Sequence, residues 1–150
     1  MKETTNKSQA ELMADITYEL LDRCQYKLEK IADGLGLTLS EFKALRAFKT
    51  DNLTTVGELA RRMELSNSRL TRILDGLEEK GIIERFLNKD DRRVMNVIVT
   101  VRGKEITEKL FNHSLKTHQE IIELLSPESR DSVIFAMEKL RNSMNEWVKI

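Results

Sequence analysis

The sequence predicts a mainly α-helical fold of the α+β class, and three observations support this prediction. Apolar residues recur at spacings of three and four over most of the 150 residues. Charged residues make up 33% of the chain and aromatic residues only 5%, which favours helices with much exposed surface. One internal stretch, residues 82–101, has instead the β-branched composition of paired strands. We therefore expect helices on both sides of a single hairpin.

The first predicted helix runs from about Gln9 to Asp33 and ends near Gly34. Its apolar stripe consists of Leu12, Ile16, Leu20, Cys24, Leu28 and Ile31. Thr38 and Glu41 then have the spacing of a capping box, which opens a short second helix. The apolar residues of this helix, which should pack beneath the helices after it, are Phe42, Leu45 and Phe48.

Two more short helices, joined by a tight turn, come next. The first opens at Thr55, and Glu58 three residues later would complete a capping box. Its apolar residues are Leu59, Ala60 and Met63. Ser66 is a good N-cap for the second of these helices, and Gly81 offers its C-terminal stop. The inward stripe of that second helix consists of Leu70, Ile73, Leu74 and Leu77.

The opposite face of this second helix carries short polar groups and a guanidinium, from Asn67, Ser68, Thr71 and Arg72. Such groups suit base edges and phosphates in a major groove of DNA. Taken alone, the same face is also typical of a helix surface exposed to water. The interpretation therefore depends on the next element of the chain.

Residues 82–87 and 94–101 read as the two strands of a hairpin with a charged tip at residues 88–93. Asp91 stands two residues before Arg93, so its carboxylate can pair with that guanidinium and direct it toward a minor groove. A charged tip alone is typical of a solvated turn. Helix, turn, helix and charged hairpin in succession are far more specific, and predict a winged helix-turn-helix that reads duplex DNA. The predicted DNA-binding residues are Asn67, Ser68, Arg69, Thr71, Arg72, Lys89, Asp91, Arg92 and Arg93.

Two further helices come after Gly103, the last of them capped by Ser126 with Pro127 at its first position. Their stripes contain Ile106, Leu110, His118, Ile122 and Leu125, then Val133, Met137, Leu140, Met144 and either Trp147 or Val148. These stripes could pack against each other within one chain. A symmetric dimer would also bury them, and it needs no protein other than a second copy of this chain. The predicted dimer-interface residues are Leu12, Ile16, Met137, Leu140, Met144 and Trp147. The expected organisation is one domain, 1–150, with a winged helix-turn-helix at about 37–102 and dimerisation helices at about 1–36 and 103–150.

The chain resembles the MarR family of transcription regulators over nearly its whole length. The resemblance is carried by residues 53–60, 68–72, 77–85, 91–93, Thr100 and Gly103. By this resemblance Ser68, Thr71 and Arg72 contact the major groove, and Arg93, held by Asp91, is the wing arginine. Two departures are that Gly76 replaces a larger polar residue and that the wing lacks prolines.

The resemblance further implies a homodimer in which the first and the last two helices interlock around a two-fold axis. Two recognition helices would then lie about one DNA turn apart on a palindromic operator. It also implies a small, often anionic aromatic effector that binds between the dimer helices and the winged domain. The chain is therefore expected to be a ligand-responsive repressor.

The net charge is zero, with 25 basic and 25 acidic residues, whereas many nucleic-acid-binding domains are basic. Between Arg61 and Arg93 there are nine Lys and Arg against seven Asp and Glu, which is a small local excess. Affinity for DNA must therefore come from the placement of individual cations, doubled in a dimer. The alternative is a winged-helix module that binds proteins and not DNA.

Catalytic motifs are missing from the sequence: it has no Gly-rich phosphate loop, nucleophile elbow or His-Glu-x-x-His motif. We expect no enzymatic activity, no cofactor and no metal. The polar start of the chain, the lack of a long apolar stretch and the single cysteine predict a soluble cytoplasmic protein that does not bind membranes. Cys24 is expected to be a small buried hydrophobe. The resemblance leaves two alternatives open, because some members of the family sense oxidants and others bind zinc. One is a redox role for Cys24, and the other is a zinc site formed by Cys24 with His113 or His118.

Overall fold

The computed structural model describes residues 7–49 and 51–149, in two compact units, one ending at Leu110 and one beginning at Phe111. The elements are α1 (Gln9–Asp33), α2 (Leu39–Ala47), β1 (Leu53–Thr55), α3 (Val56–Met63), α4 (Asn67–Glu79), β2 (Ile83–Leu87), β3 (Met95–Val99), α5 (Val101–Glu123) and α6 (Pro127–Val148). The described residues thus form mainly helices with one short sheet, which confirms the predicted mainly α fold.

The sheet has three antiparallel strands in the order β1-β3-β2, so the third strand in the chain lies at the centre. Ile83 pairs with Val99 and Leu53 pairs with Ile98. The sequence predicted only β2 and β3. β1 has just three residues, and Thr55 is both its last residue and the N-cap of α3, so a prediction based on helix periodicity misses it.

The core of the first unit lies between α2, α3, α4 and the sheet. The largest fully buried side chains are those of Phe42, Leu59, Leu70, Leu74, Leu77, Ile83 and Val97. Both predicted stripes of the helix-turn-helix thus face inward, and fully burying a side chain of this size stabilises the fold by about 1.5–3 kcal/mol. This core fixes α4 against the sheet and leaves its other face exposed.

One predicted strand end and one predicted helix start were wrong because of local hydrogen bonding. The strand predicted to reach residue 101 ends at Val99, since α5 begins at Val101 and not after Gly103. Thr100 Oγ1 donates to the Gly81 carbonyl oxygen at 2.7 Å and accepts from the Gly103 N–H at 3.0 Å. A Cβ on Gly103 would lie 2.1 Å from the Ile82 carbonyl oxygen, so this glycine permits a close approach inside the helix.

The predicted capping box of α2 is present in full. The Thr38 N–H donates to the Glu41 carboxylate at 2.8 Å, and the Glu41 N–H donates to the Thr38 hydroxyl at 3.2 Å. The box predicted for α3 is only half formed, because Glu58 turns to two arginines instead of returning to Thr55. Ser126 begins α6 without a side-chain cap, since its hydroxyl meets the hydroxyl of Ser129 at 2.8 Å.

The apolar stripes of the long helices are largely exposed in the single chain. In α1 only Ile31 and Ala32 are buried. Cys24 is exposed as well, so the expectation of a buried cysteine was wrong for the single chain. In α6, which has no buried residue, Leu140 is half-buried and the other predicted interface residues are exposed, namely Met137, Met144 and Trp147. Within the described residues no helix is both long and apolar enough to cross a membrane.

Candidate nucleic-acid interface

Helix α4 presents the predicted recognition face to solvent. Its inner residues Leu70, Leu74 and Leu77 have 0% exposure, which holds the helix in one rotation about its axis. At its start, Ser66 Oγ accepts the Arg69 N–H at 3.4 Å and lies 3.2 Å from Ser68 Oγ. The first turn of α4, which carries the predicted DNA contacts, is therefore capped and exposed.

Every residue predicted on α4 to contact DNA is exposed, namely Asn67, Ser68, Arg69, Thr71 and Arg72. Ser68 and Arg72 lie one turn apart, opposite the buried stripe. Thr71 Oγ1 donates to the Asn67 carbonyl oxygen at 2.8 Å, so its own oxygen is left to accept a hydrogen bond. The face offers a guanidinium donor beside hydroxyl acceptors, a combination that suits base edges and phosphates.

The hairpin tip is held by hydrogen bonds within the turn. Asn88 Oδ1 accepts the N–H groups of Asp90 at 2.9 Å and Asp91 at 3.2 Å, and the Asn88 N–H donates to the Val94 carbonyl oxygen at 2.9 Å. These bonds give the tip a defined shape although it contains no proline.

Arg93 is directed by Asp91, as the sequence predicted. Its Nε and Nη2 donate to the two carboxylate oxygens at 3.1 and 3.3 Å, and its backbone N–H donates at 3.0 Å. The side-chain hydrogen bond from Arg93 lowers the pKa of Asp91 below its usual 3.8, so the carboxylate stays charged near neutral pH. The Arg93 side chain is nevertheless 91% exposed, which leaves its guanidinium accessible to a partner. Lys89 and Arg92 are exposed beside it.

A second set of cations, which the sequence patterns did not identify, is used inside the fold. Arg85 of β2 donates through Nη2 to Asp75 at 2.6 Å and through Nε to Glu78 at 3.1 Å, which ties the hairpin to α4. Hydrogen bonding to Arg85 lowers the pKa of Glu78 below 4.5. Asp75 and Glu78 lie ten and seven residues before Arg85 and in a different element, so the spacing in the sequence does not indicate these pairs.

Arg62 similarly joins α3 to the end of α2. It donates to Glu58 at 3.0 Å, to Asp51 at 3.1 Å and to the Ala47 carbonyl oxygen at 3.0 Å. The hydrogen bonds of Arg61, and then of Arg62, lower the pKa of Glu58 to about 2. The spacing of four between Glu58 and Arg62 was a readable signal for one of these pairs.

This division of the cations shows how positive charge can be available to DNA in a chain of zero net charge. Residues 37–102 contain thirteen Lys and Arg against ten Asp and Glu. Several of the acids bind Arg61, Arg62, Lys80 and Arg85. Within the described part of the chain, the cations of this segment that have no ion pair are Lys43, Arg46, Lys49, Arg69, Arg72, Lys89, Arg92 and Arg102. Four of the five predicted DNA-facing cations thus have no ion pair among the described residues, while Arg93 pairs with Asp91. Five of the ten acids pair with cations of the scaffold.

Side chains that could bind a metal ion are dispersed over the described structure. Across residues 7–49 and 51–149 no group of three or more His, Cys, Asp and Glu side chains could hold a metal ion. His118 lies on α5, where its Nδ1 is 2.6 Å from the Ser114 carbonyl oxygen.

Known proteins that are similar to this chain are consistent with a DNA-binding site on α4 and the hairpin. A model of the MarR family matches residues 37–95. The multiple antibiotic resistance protein MarR of Salmonella typhimurium is 30% identical over 107 residues, which cover 71% of this chain and 74% of that protein. The transcriptional repressor MdtR of Bacillus subtilis is 33% identical over 100 residues, covering 65% of this chain and 64% of that protein. The crystal structure of a mutant MarR from E. coli complexed with operator DNA has 25% identity and a TM-score of 0.68, covering 85% of this chain and 92% of that chain.

Proposed function

This chain belongs to the MarR family of transcription regulators, and we propose that it is a repressor that binds a palindromic operator as a homodimer and responds to a small ligand. Its relatives are regulators and not enzymes. The observation that carries the proposal is the pairing of an exposed α4 face with an exposed, carboxylate-directed Arg93 on the neighbouring hairpin. These two features suit a major groove and the adjacent minor groove.

The operator-bound relative supports the same mode of DNA binding, because this chain matches it over 85% of its length. In the proposed complex, Ser68, Thr71 and Arg72 read base edges while Arg93 contacts the minor groove. The cations that have no ion pair provide phosphate contacts, which depend on salt but not on sequence.

The exposed apolar stripes support a homodimer. In α1, Leu12 and Ile16 are about half exposed, at 52% and 49%, and in α6 Trp147 is 73% exposed. An apolar stripe left exposed along a helix is typical of an interface with another protein. A second copy provides an identical set of stripes around a two-fold axis, and it places two α4 helices on one duplex.

The repressor role and the effector are the finer parts of the proposal. The relative MdtR is a repressor, which supports that sign of regulation. A small, often anionic aromatic molecule would release the operator only if it binds one spacing of the two α4 helices more tightly than the other. We propose no cofactor and no enzymatic step.

The experiment uses the duplex immediately upstream of this protein's own reading frame and a scrambled duplex of equal length. Fluorescence anisotropy titrations should show tighter binding to the upstream duplex. The affinity should fall by roughly 10³–10⁵ between about 50 and 200 mM salt if six to ten phosphates are contacted. Equal and salt-independent binding to both duplexes, or none, would remove the DNA role and favour the protein-interaction module.

A further inference from the structure

The outer face of α2 borders a groove. Arg69 is the one predicted DNA contact that lines it. Ser40, Lys43 and Arg46 recur every three residues on this face, and all are exposed. One cleft of about 320 Å³ is lined by Ser40, Lys43, Met63, Leu65, Arg69 and Ile73. An adjoining cleft of about 290 Å³ is lined by Lys43, Arg46, Ala47, Arg62 and Met63. Lys43 and Met63 line both clefts, so Lys43 stands where they meet.

The lining of this groove is cationic, with no carboxylate among its residues. Lys43 and Arg69 have no ion-pair partner within the described residues, whereas Arg62 is neutralised by Glu58 and Asp51. The one acid of α2, Glu41, is 5% exposed and binds Lys80 at 2.6 Å, so it does not compensate Lys43. The cleft lined by Lys43 and Arg69 therefore offers two uncompensated cations to an anion, and Arg46 adds a third in the adjoining cleft.

The position of the groove relative to α4 identifies which anion it suits. Arg85 of the hairpin binds Asp75 and Glu78 on one flank of the exposed α4 face. Glu41 of α2 stands over Gly76 on the other flank, where an added Cβ would lie 2.4 Å from its Oε1, and Arg69 shares that flank. The strip that carries Ser68 and Arg72 is thus bordered by the hairpin on one side and by α2 on the other.

A helix that enters a major groove is bordered by two phosphate backbones. We propose that the cleft between α2 and the first turn of α4 binds a backbone phosphate, with Lys43 and Arg69 as its two cationic partners. This inference rests on the proposed DNA binding, and it adds a phosphate contact from a helix outside the helix-turn-helix. Lys43 then fixes the position of the duplex on the side opposite the hairpin, and it carries no information about sequence.

The test compares the parent protein, Lys43→Gln and Lys109→Gln, an exposed α5 lysine without an ion pair in the described structure. Anisotropy titrations on the upstream duplex at several salt concentrations give the slope of log K against log salt. Loss of one phosphate contact per subunit should make the slope shallower by about 0.9, or about 1.8 for a dimer. If Lys43→Gln and the parent bind equally at about 1 M salt, a change of about 1.8 in slope corresponds to roughly 60-fold weaker binding by Lys43→Gln at about 0.1 M.

Lys109→Gln should keep the parent slope, and Lys43→Arg should restore it. The ratio of affinities for operator and scrambled duplex should be the same for Lys43→Gln and the parent, because a phosphate contact is not specific for sequence. Thermal melting should be unchanged, since Lys43 is exposed.

A parent slope retained by Lys43→Gln on the duplex would overturn the inference while leaving DNA binding intact. If inorganic phosphate in addition protects Lys43→Gln against heat less than it protects the parent, the cleft would be assigned to a free anion. A parent protein that binds no duplex would instead defeat the proposed function itself.

Discussion

Replacing Asp91 with alanine should weaken DNA binding, although the change removes a negative charge beside the phosphates. In the structure this carboxylate accepts three hydrogen bonds from Arg93, two from its side chain and one from its backbone. The Arg93 side chain is otherwise 91% exposed, so nothing else in the described structure holds it. Without Asp91, the guanidinium must be ordered when DNA binds.

Two opposing effects set the size of the loss. Ordering a long side chain on binding weakens affinity by about twofold to twelvefold. A carboxylate about 7 Å from a phosphate opposes binding by only about 1.5-fold in water at physiological salt, because solvent and ions screen it. The ordering effect is the larger, and two hairpins in a dimer should give a net loss of about twofold to sixtyfold.

Asp90→Ala is the matched control, because it removes the same charge from an adjacent exposed residue with no ion pair in the described part of the chain. Anisotropy titrations of the parent, Asp90→Ala and Asp91→Ala on one duplex make the comparison. Asp90→Ala should bind as tightly as the parent or slightly more tightly, and Asp91→Ala more weakly. In an Arg93→Ala background the two aspartate changes should become equivalent. Tighter binding by Asp91→Ala than by the parent would refute the orienting role.

Four further changes probe other parts of the molecule. Arg72→Ala should cost about 1–3 kcal/mol on the preferred operator, measured by titration, and an unchanged affinity for every duplex would remove α4 from the interface. Gly103→Ala should destabilise the fold by about 1–3 kcal/mol in urea unfolding because its Cβ meets a backbone carbonyl at 2.1 Å, while Gly57→Ala, with nothing within 4 Å, should be neutral or stabilising. The pKa of Glu58 is lowered to about 2, so its contribution to the free energy of unfolding is present above about pH 4.5 and lost as the pH falls toward about 2. The melting temperature of Glu58→Gln should therefore depend less on pH over that range than that of the parent, and an equal fall in both proteins would contradict this. Met137→Glu should shift sedimentation velocity from dimer to monomer, because the side chain, 61% exposed in the single chain, would be buried in the proposed interface and each dimer would bury two charges. A dimer that persists would place the interface elsewhere.

The helix-turn-helix could be predicted from the sequence because its signals are local. The stripe of α4 repeats at three and four, and its three inner leucines are fully buried as expected. The pairing of Asp91 with Arg93 was readable for the same reason, since only two residues separate them. Short-range patterns of this kind survive in the folded chain because no long-range contact opposes them.

The remaining features depend on contacts between distant parts of the chain. Lys80 meets Glu41 across 39 positions, and no spacing rule indicates that pair. Gly76 stands out in the sequence only as a departure from the family, whereas in the structure the carboxylate of Glu41 occupies the space that a side chain would need. Cys24 was expected to be buried because it lies on an apolar stripe, but a stripe alone does not say whether the same chain or a second copy covers it.

Selection of bound sequences from a pool of random duplexes tests the central claim most directly, because the pool does not presuppose any operator sequence. If two copies of α4 and two hairpins read one duplex, the enriched sequences should form an inverted repeat with half-site centres about ten base pairs apart. The Arg72→Ala protein should lose or relax the preference at the positions that this residue reads. A pool that shows no enrichment over the unselected duplexes, or that converges on a single unrepeated half-site, would contradict the account.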